Sequence, residues 1–250
     1  MAISIKTESE IKSMREGGKI LAATLEEVCK RAQPGVSTWE LDQFAEKFIR
    51  KHNAIPGFKG YHGFPATLCT AIDEVVVHGI PGKNQILKEG DLFTVDCGVL
   101  FEGLNTDAAK SIGIGKISNE KEKLLKVAKE ALSKAIDIAK PGIRVNEIGK
   151  SIETTVKNAG FHIIKDLTGH GIGRDLHEEP IILNYEDRTP GAILKEGMTI
   201  AIEPIFAIST GKIKELSDNW TLVTMDGSAS VQEENTILIT RNGNEILTSP

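Results

Sequence analysis

The chain repeats itself at one fixed spacing, which restricts the folds open to it more than any other feature. Ile86-Leu-Lys-Glu-Gly90 recurs as Ile193-Leu-Lys-Glu-Gly197, 107 positions later. Pro34-Gly35 recurs as Pro141-Gly142 at the same spacing. Around them, Ala32-Gln-Pro-Gly-Val-Ser-Thr-Trp-Glu-Leu41 resembles Ala139-Lys-Pro-Gly-Ile-Arg-Val-Asn-Glu-Ile148. Two landmarks at one offset mark a duplication, with halves of roughly 1–116 and 117–250. The period is too long for a solenoid unit, so the repeat is a half-domain. A chain of 250 residues is long enough to bury a proper core, and no linker or low-complexity stretch separates the halves. The expectation is one domain, 1–250, built from two closely packed halves.

Each half runs in the same order. A long helix comes first, Glu8 to about Arg31 and then Glu120 to about Lys140. In the second of these, Leu124, Leu125, Val127, Ala128, Ala131, Leu132 and Ala135 fall at helical spacing, and Pro-Gly ends the helix. Shorter helices follow over Ser37–Lys51 and Val145–Ala159. Ser37 caps the first of them, with Glu40 three residues on completing a capping box. Apolar strands come next, Phe93–Leu100 and Thr199–Phe206. Antiparallel strands with helices gathered on one side define an α+β fold.

The strands carry acids. Leu92–Phe101 and Thr106–Ile112 read as two short strands joined by the turn-like Glu102-Gly103-Leu104-Asn105. Folded about Phe101-Glu102, the hairpin sets Asp96 opposite Asp107. Folded about Glu102-Gly103, it sets Asp96 opposite Ala109, with Asp107 a diagonal neighbour. Either register leaves both carboxylates on one face. Like charges side by side on a sheet are destabilising, and a bound cation is the simplest remedy. The repeat adds a third acid. Asp96 lies six residues after Gly90 and Glu203 six after Gly197, so the two are equivalent and converge if the halves face each other across a pseudo-twofold axis.

With His170 and Glu234, these make a set of Asp, Asp, His, Glu and Glu. Such a set suits Mn(II), Fe(II), Co(II) or Zn(II) and offers more carboxylate than one zinc needs. Two bridging carboxylates are the usual means of holding two ions about 3.5–4 Å apart, an arrangement used for hydrolysis. Taken singly, each acid is also an ordinary turn, cap or surface residue. His170 lies in Thr168-Gly-His-Gly-Ile-Gly173, where the flanking glycines leave the imidazole unobstructed and let a ligand or backbone approach. This is neither HExxH nor a dinucleotide loop, since its spacing is wrong and no βαβ unit follows. His78 ends the apolar run Val75-Val-Val77, a position open to a catalytic group or a satisfied core histidine. Nothing favours His52 or His162, and His62 is undecided.

Composition excludes other classes. A formal charge of −5 provides no basic footprint for nucleic acid. The cysteines Cys29, Cys69 and Cys97 form no CxxC pair and leave an odd one over, which suits a reducing compartment. The start lacks an apolar stretch of signal-peptide length, and no apolar run nears the ~20 residues of a membrane span. A cytoplasmic protein without membrane contact is expected.

Asp96, Asp107, Gly169-His-Gly-Ile-Gly-Arg174, His177-Glu-Glu-Pro180, Ile202-Glu-Pro-Ile-Phe206 and Gln232-Glu-Glu-Asn-Thr236 together resemble the type I methionine aminopeptidases. The likeness runs from about residue 4 to 245. It implies the pita-bread fold, two pseudo-symmetric halves around a curved antiparallel sheet with helices on its outer face. It implies removal of the initiator methionine from nascent chains whose next residue is small, near the ribosome exit, by a monomeric enzyme holding two divalent ions (Co, Mn, Fe or Zn). By the same resemblance, Asp96 chelates one ion, Asp107 and Glu234 bridge both, and His170 and Glu203 bind the other. His78 and His177 contact the scissile peptide, and Glu203 shuttles the proton. Tyr61, Phe64, Cys69, Leu176 and Trp220 form the methionine pocket, although as residues alone these five read equally as core. The chain departs from the common pattern at Phe58, Asp73, Leu104-Asn105-Thr106, Lys110 and Asn235. None of these is a ligand position, and they bear on pocket shape and on the hydrogen bonds behind the ligands.

Two enzymes of the same fold are disfavoured. X-Pro aminopeptidases and prolidases carry a large domain ahead of the metal half, which here begins almost at once. Type II methionine aminopeptidases carry a long insertion between the last two Glu ligands, and Glu203 and Glu234 are only 31 positions apart. The third alternative is a catalytically silent pita-bread binding module, against which the intact ligand set argues.

Overall fold

Each half opens on two helices whose starts are set by local hydrogen bonding. The computed structural model describes residues 3–249. Helix α1 spans Glu8–Arg31 and is capped by Thr7 in a capping box with Glu10. Helix α2 spans Thr38–Lys51, with the expected Ser37/Glu40 box. A cap of this kind is worth about 1 kcal/mol. Their second-half counterparts are α3, Asn119–Ile138, and α4, Val145–Asn158. At α4 the capping position is Arg144, so only the Glu147 side of the box survives, its carboxylate accepting from Arg144 N at 3.1 Å.

The strands of the first half are β1 (Ile55–Pro56), β2 (Leu68–Ile72), β3 (Val75–Val77), β4 (Leu92–Phe101) and β5 (Leu104–Gly113). Those of the second are β6 (His162–Ile163), β7 (Thr168–Gly171), β8 (Glu178–Leu183), β9 (Thr199–Ile202), β10 (Ile205–Ala207), β11 (Ile213–Glu215), β12 (Leu222–Thr224), β13 (Ser230–Gln232), β14 (Asn235–Thr240) and β15 (Gly243–Ile246). Strands β1, β4 and β2 lie side by side with β5 on β4; β13, β10 and β6 form a second ladder, and β15, β14, β9, β7 and β8 a third. A small ladder of β11, β12 and β3 ties the first half to the second.

The duplication is visible residue by residue. The isolated bridge Ser37–Ile86 recurs as Arg144–Ile193. Ile55 pairs with Leu100, and the positions 107 later, His162 and Ala207, pair likewise. The same logic carries over to the acids. Gly98 pairs with Asp107 and Thr94 with Ser111, whereas Ile205 pairs with Gln232 and Ala201 with Thr236. Gln232 is therefore the counterpart of Asp107, Glu234 of Ala109, and Thr236 of Ser111.

Two expectations need correction. The β4–β5 turn is Glu102-Gly103 alone, since Phe101 pairs with Leu104 and Asp96 with Ala109. Both turn residues have positive φ, 50° and 80°, the geometry that suits a two-residue hairpin to strand twist. Leu104 and Asn105 thus belong to the strand. The expected single strand Thr199–Phe206 is broken at Glu203-Pro204 into β9 and β10, because proline has no N–H for the ladder.

The helices cover one side. Val95, Cys97 and Val99 on β4 pack in a cluster with Leu21 and Leu25 of α1 and Leu41 and Ile49 of α2. Ile200, Ile202 and Phe206 do the same against α3 and α4. Strand side chains alternate, so Asp96, between Val95 and Cys97, is turned to the side away from the helices. Across the pseudo-axis, β5 meets β13 and β14. Ser111 Oγ donates to the Gln232 carbonyl at 2.6 Å, and its counterpart Thr236 Oγ1 donates to the Asp107 carbonyl at 2.8 Å. Two repeat-related hydroxyls thus clasp the halves together. Among the described residues no helix is long and apolar enough to cross a membrane.

Candidate metal centre

One cavity of about 410 Å³ opens on the sheet face away from the helices, and all twelve expected site and pocket residues line it. Its acidic floor is built at the pseudo-axis. Asp96 comes from β4, Asp107 from β5, and Glu203 from the break between β9 and β10. Glu234 sits between β13 and β14, held by its N–H to the Ala109 carbonyl at 3.0 Å. Donor atoms of Asp107, His170 and Glu234 lie within 4.8 Å of one another. Glu203 Oε1 is 3.7 Å from His170 Nε2, and Asp96 lines the same cavity floor.

Four carboxyls in one dry pocket repel, and burial penalises their charged forms. Burial pushes Asp96 up to about 7. Asp107 rises well above its ordinary value through burial and the charges of Glu234 and Asp96. Burial likewise raises Glu203 and Glu234. Asp96 Oδ1, Asp107 Oδ1 and Glu234 Oε1 are buried with no hydrogen-bond partner. An unsatisfied buried oxygen is costly. No lysine or arginine stands among the described residues lining the cavity. Three orphaned acid oxygens facing one another, without a cationic side chain, fit a divalent cation.

Burial holds two histidines of the site towards the neutral form. His170 Nδ1 lies 2.8 Å from the Gly171 carbonyl, which can only accept, so Nδ1 carries the proton and Nε2 presents its lone pair to the acids. Burial drives His170 down to about 4, keeping it neutral. His177 Nδ1 shares a hydrogen bond with the Tyr61 hydroxyl at 2.8 Å, and burial raises the Tyr61 phenol, which keeps its proton. The two rings meet edge to face at 4.3 Å.

The glycines beside His170 act differently from expectation. A Cβ on Gly169 would come within 2.3 Å of the Ala201 carbonyl oxygen, and one on Gly171 within 2.2 Å of the Glu179 carbonyl oxygen. They permit tight strand packing, which fixes the imidazole.

The remaining wall is apolar and aromatic. Phe64 and Trp220 stack edge to face at 5.1 Å, and His78, just past β3, faces Trp220 at 6.4 Å. Trp220 is carried on a turn closed by Asp218, which accepts from Trp220 N, Thr221 N and Thr221 Oγ1. Leu176 is buried beside Cys69 and Phe64 in the same cluster. His52 and His162 are not in the cavity lining; His62 is.

Sequence reasoning missed Gln232. Its Nε2 donates to Glu203 Oε2 at 3.2 Å, so it orients that acid. The signal was present in the repeat, but it emerges only once strand pairing identifies Gln232 as the partner of Asp107. Thr168, Ile205 and Val77 also line the cavity without any sequence mark. The departures have local partners. Phe58 lines the cavity, and its ring would lie 2.7 Å from a Cβ on Gly98. Asp73 pairs with Lys121 at 2.6 Å, and Asn235 Oδ1 accepts from Thr248 Oγ1 at 2.8 Å.

The chain is similar to known proteins in sequence and in fold. The family model for metallopeptidase family M24 matches residues 12–241. The methionine aminopeptidase of Clostridium acetobutylicum is 48% identical, with 98% of each chain covered. The crystal structure of methionine aminopeptidase from Thermotoga maritima superposes with a TM-score of 0.98 at 42% identity, covering 100% of both chains. A prolidase from Pyrococcus horikoshii shares the pita-bread fold more distantly, with a TM-score of 0.78 at 25% identity, and this chain covers 63% of it. These matches span nearly the whole chain: it belongs to metallopeptidase family M24, among its methionine aminopeptidases.

Proposed function

We propose that this chain is a metal-dependent aminopeptidase that releases the N-terminal methionine of peptides and nascent proteins whose second residue is small. The observation that carries the reading is that the acid cluster and an apolar, aromatic slot share one cavity. In this reading, Asp96 would hold one divalent ion, Asp107 and Glu234 would serve both, and His170 and Glu203 would hold the other, with Co, Mn, Fe and Zn as the candidates. When bound, such ions polarise a carbonyl and make water a nucleophile at neutral pH.

The chain's own groups do the rest. Tyr61, Phe64, Cys69, Leu176 and Trp220 take the methionine side chain, an unbranched thioether suited to a preformed aromatic slot. Glu203 accepts the proton of the attacking water at a carboxylate oxygen and passes it to the leaving amine, a role worth about 10²–10⁴-fold. His177 donates from Nε2 to the developing oxyanion, a contribution of about 10²–10³-fold. His78 positions the peptide nitrogen. The same reading takes residues 1–250 as one catalytic domain acting as a monomer in the cytoplasm, on chains leaving the ribosome, with no specificity for nucleic acid.

The test is cleavage of Met-Ala-Ser and of an X-Pro peptide by anaerobically purified protein of measured metal content, with His170→Ala and Glu203→Ala alongside. Cleavage of the first alone, lost in both variants, is expected. Near-normal turnover by either variant overturns the ligand assignment. Cleavage of the X-Pro peptide instead indicates prolidase-type specificity. Cleavage of neither, with no metal retained, indicates a binding module.

A further inference from the structure

Lys6 is a charged residue whose side chain has no exposure at all. It lies just ahead of α1, where its N–H bonds the Gly197 carbonyl at 2.8 Å. Its ammonium reaches Glu178 Oε2 at 2.6 Å, and Ser4 Oγ donates to the same oxygen at 2.6 Å. The other oxygen of Glu178 turns the opposite way. Oε1 accepts from Arg174 N at 2.6 Å and from Asp175 N at 3.2 Å. One carboxylate therefore closes the loop 173–178 on itself and fastens it to the N-terminal strap. Leu176 and His177, both in the cavity wall, are carried on that loop, and His177 immediately precedes Glu178.

The strap is fixed to the loop at further points. Arg174 Nε and Nη2 donate to the two oxygens of Glu10 at 2.6 and 3.0 Å, and Glu10 is also the capping-box partner of Thr7 at the start of α1. A Cβ on Gly173 would lie 2.1 Å from Lys6 Cε, so the strap rests directly on the loop backbone. From the other half, Asn105 N donates to the Gly173 carbonyl at 2.7 Å. A carboxylate that collects loop amides in a buried place needs a cation, because breaking such a pair leaves an uncompensated charge. Among the described residues, Lys6 is the only cation recorded in a salt bridge with Glu178.

We propose that Lys6 is a positioning residue for the aminopeptidase reaction, acting through Glu178 to set His177 against the scissile carbonyl. This rests on the function proposed above. Displacing an oriented group by about 1 Å can cost 10²-fold, whereas the acid cluster, on other strands, keeps its geometry. The experiment is a double-mutant cycle on the full-length, Mn(II)-loaded protein. Lys6→Met and Glu178→Gln are each made alone and with His177→Ala. For each, kcat and KM on Met-Ala-Ser are measured, together with Mn(II) affinity by calorimetry. In the wild-type background, kcat is expected to fall about 10- to 100-fold, with Mn(II) affinity within about twofold. In the His177→Ala background the same substitutions are expected to change kcat less than about twofold, since coupled residues are not additive. An equal loss in both backgrounds overturns the proposal, as does unchanged kcat in the wild-type background or loss of Mn(II) affinity. Glu178→Gln keeps the side-chain volume and stands in if Lys6→Met does not fold. Failure of the wild-type protein to cleave Met-Ala-Ser would sink the functional reading itself, a separate result.

Discussion

Divalent metal should bind this protein with release of protons, and its affinity should rise steeply with pH. The perturbation is titration of Mn(II) into metal-free protein. In that state burial raises Asp96 and Asp107, and burial also raises Glu203 and Glu234, so the cluster holds protons more tightly than free carboxyls do. An ion takes only ionised carboxylates, so protons leave on binding near neutral pH. Each displaced proton makes the observed dissociation constant tenfold tighter per pH unit, about 1.36 kcal/mol. Two give about 100-fold between pH 6 and pH 7.

The stability of the metal-free protein runs the other way. Unfolded carboxyls titrate near 4, so the folded state binds more protons than the unfolded one. The stability this confers is present in acid and is lost as pH rises through about 7 for Asp96. His170, lowered to about 4, contributes with the opposite sign, its stability being lost as pH falls. His78 and His177, also lowered by burial, act in the same sense as His170, so four acids stand against three imidazoles and the acids dominate. The assay is calorimetry in two buffers of different ionisation enthalpy, where the slope counts protons. Equal enthalpies in both buffers, with the same dissociation constant near pH 6 and near pH 7, would refute the reasoning. The four carboxyls would then be ionised before any ion arrives.

Two further substitutions probe the groups around the cluster. Tyr61→Phe removes the hydroxyl bonded to His177 Nδ1; one net hydrogen bond is about 0.5–1.5 kcal/mol, so kcat should fall roughly 2- to 13-fold with little change in KM, and a raised KM at constant kcat would mean that Tyr61 is only pocket wall. Ser111→Ala with Thr236→Val opens the hydroxyl clasp across the pseudo-axis; each is expected to cost about 1–3 kcal/mol in urea unfolding, with a combined effect differing from the sum, and an unchanged urea midpoint would show that the clasp holds nothing.

The helices and the β4–β5 hairpin were legible because local chemistry writes them. The Ser37/Glu40 box and the Pro-Gly stops need no tertiary information. The parity of Asp96 and Asp107 survives either hairpin register, so their shared face was secure while the choice between the two registers was open, and the pairing of Asp96 with Ala109 selects the turn at Glu102-Gly103. Pro204 was in view, yet the apolar run from Thr199 to Phe206 reads as one strand because hydrophobicity outweighs a single proline in any such pattern. What the sequence withheld depends on register between distant strands. Gln232 looks like any polar residue in a strand until the pairing of Ile205 with Gln232 identifies it as the twin of Asp107. Lys6 was invisible for the same reason: its partner lies 172 positions away, and a lysine near the start of a chain reads as solvated.

The duplication also explains why the site is not symmetric. Two copies of one half, set face to face, place identical positions on either side of an axis. Four equivalent acids there would suit a symmetric cage. Instead only one pair stays acidic on both sides, Asp96 and Glu203. At the next pair the first half keeps Asp107 and the second carries Gln232, while two residues on the first half has Ala109 and the second Glu234. The position matching Asp107 carries no acid in the second half, and Glu234 supplies one two residues further on, so each half still contributes two of the four carboxyls. Gln232, uncharged, donates its amide to Glu203. The asymmetry also separates two tasks. Glu203 sits at the strand break made by Pro204, beside the histidines and the aromatic slot, whereas Asp96 is locked mid-strand in an unbroken ladder of ten pairs. An acid at a break, flanked by backbone outside the ladder, has room to change its hydrogen bonding during a reaction, and one pinned in mid-sheet does not. That difference is the physical reason to assign the proton to Glu203 and a purely holding role to its twin.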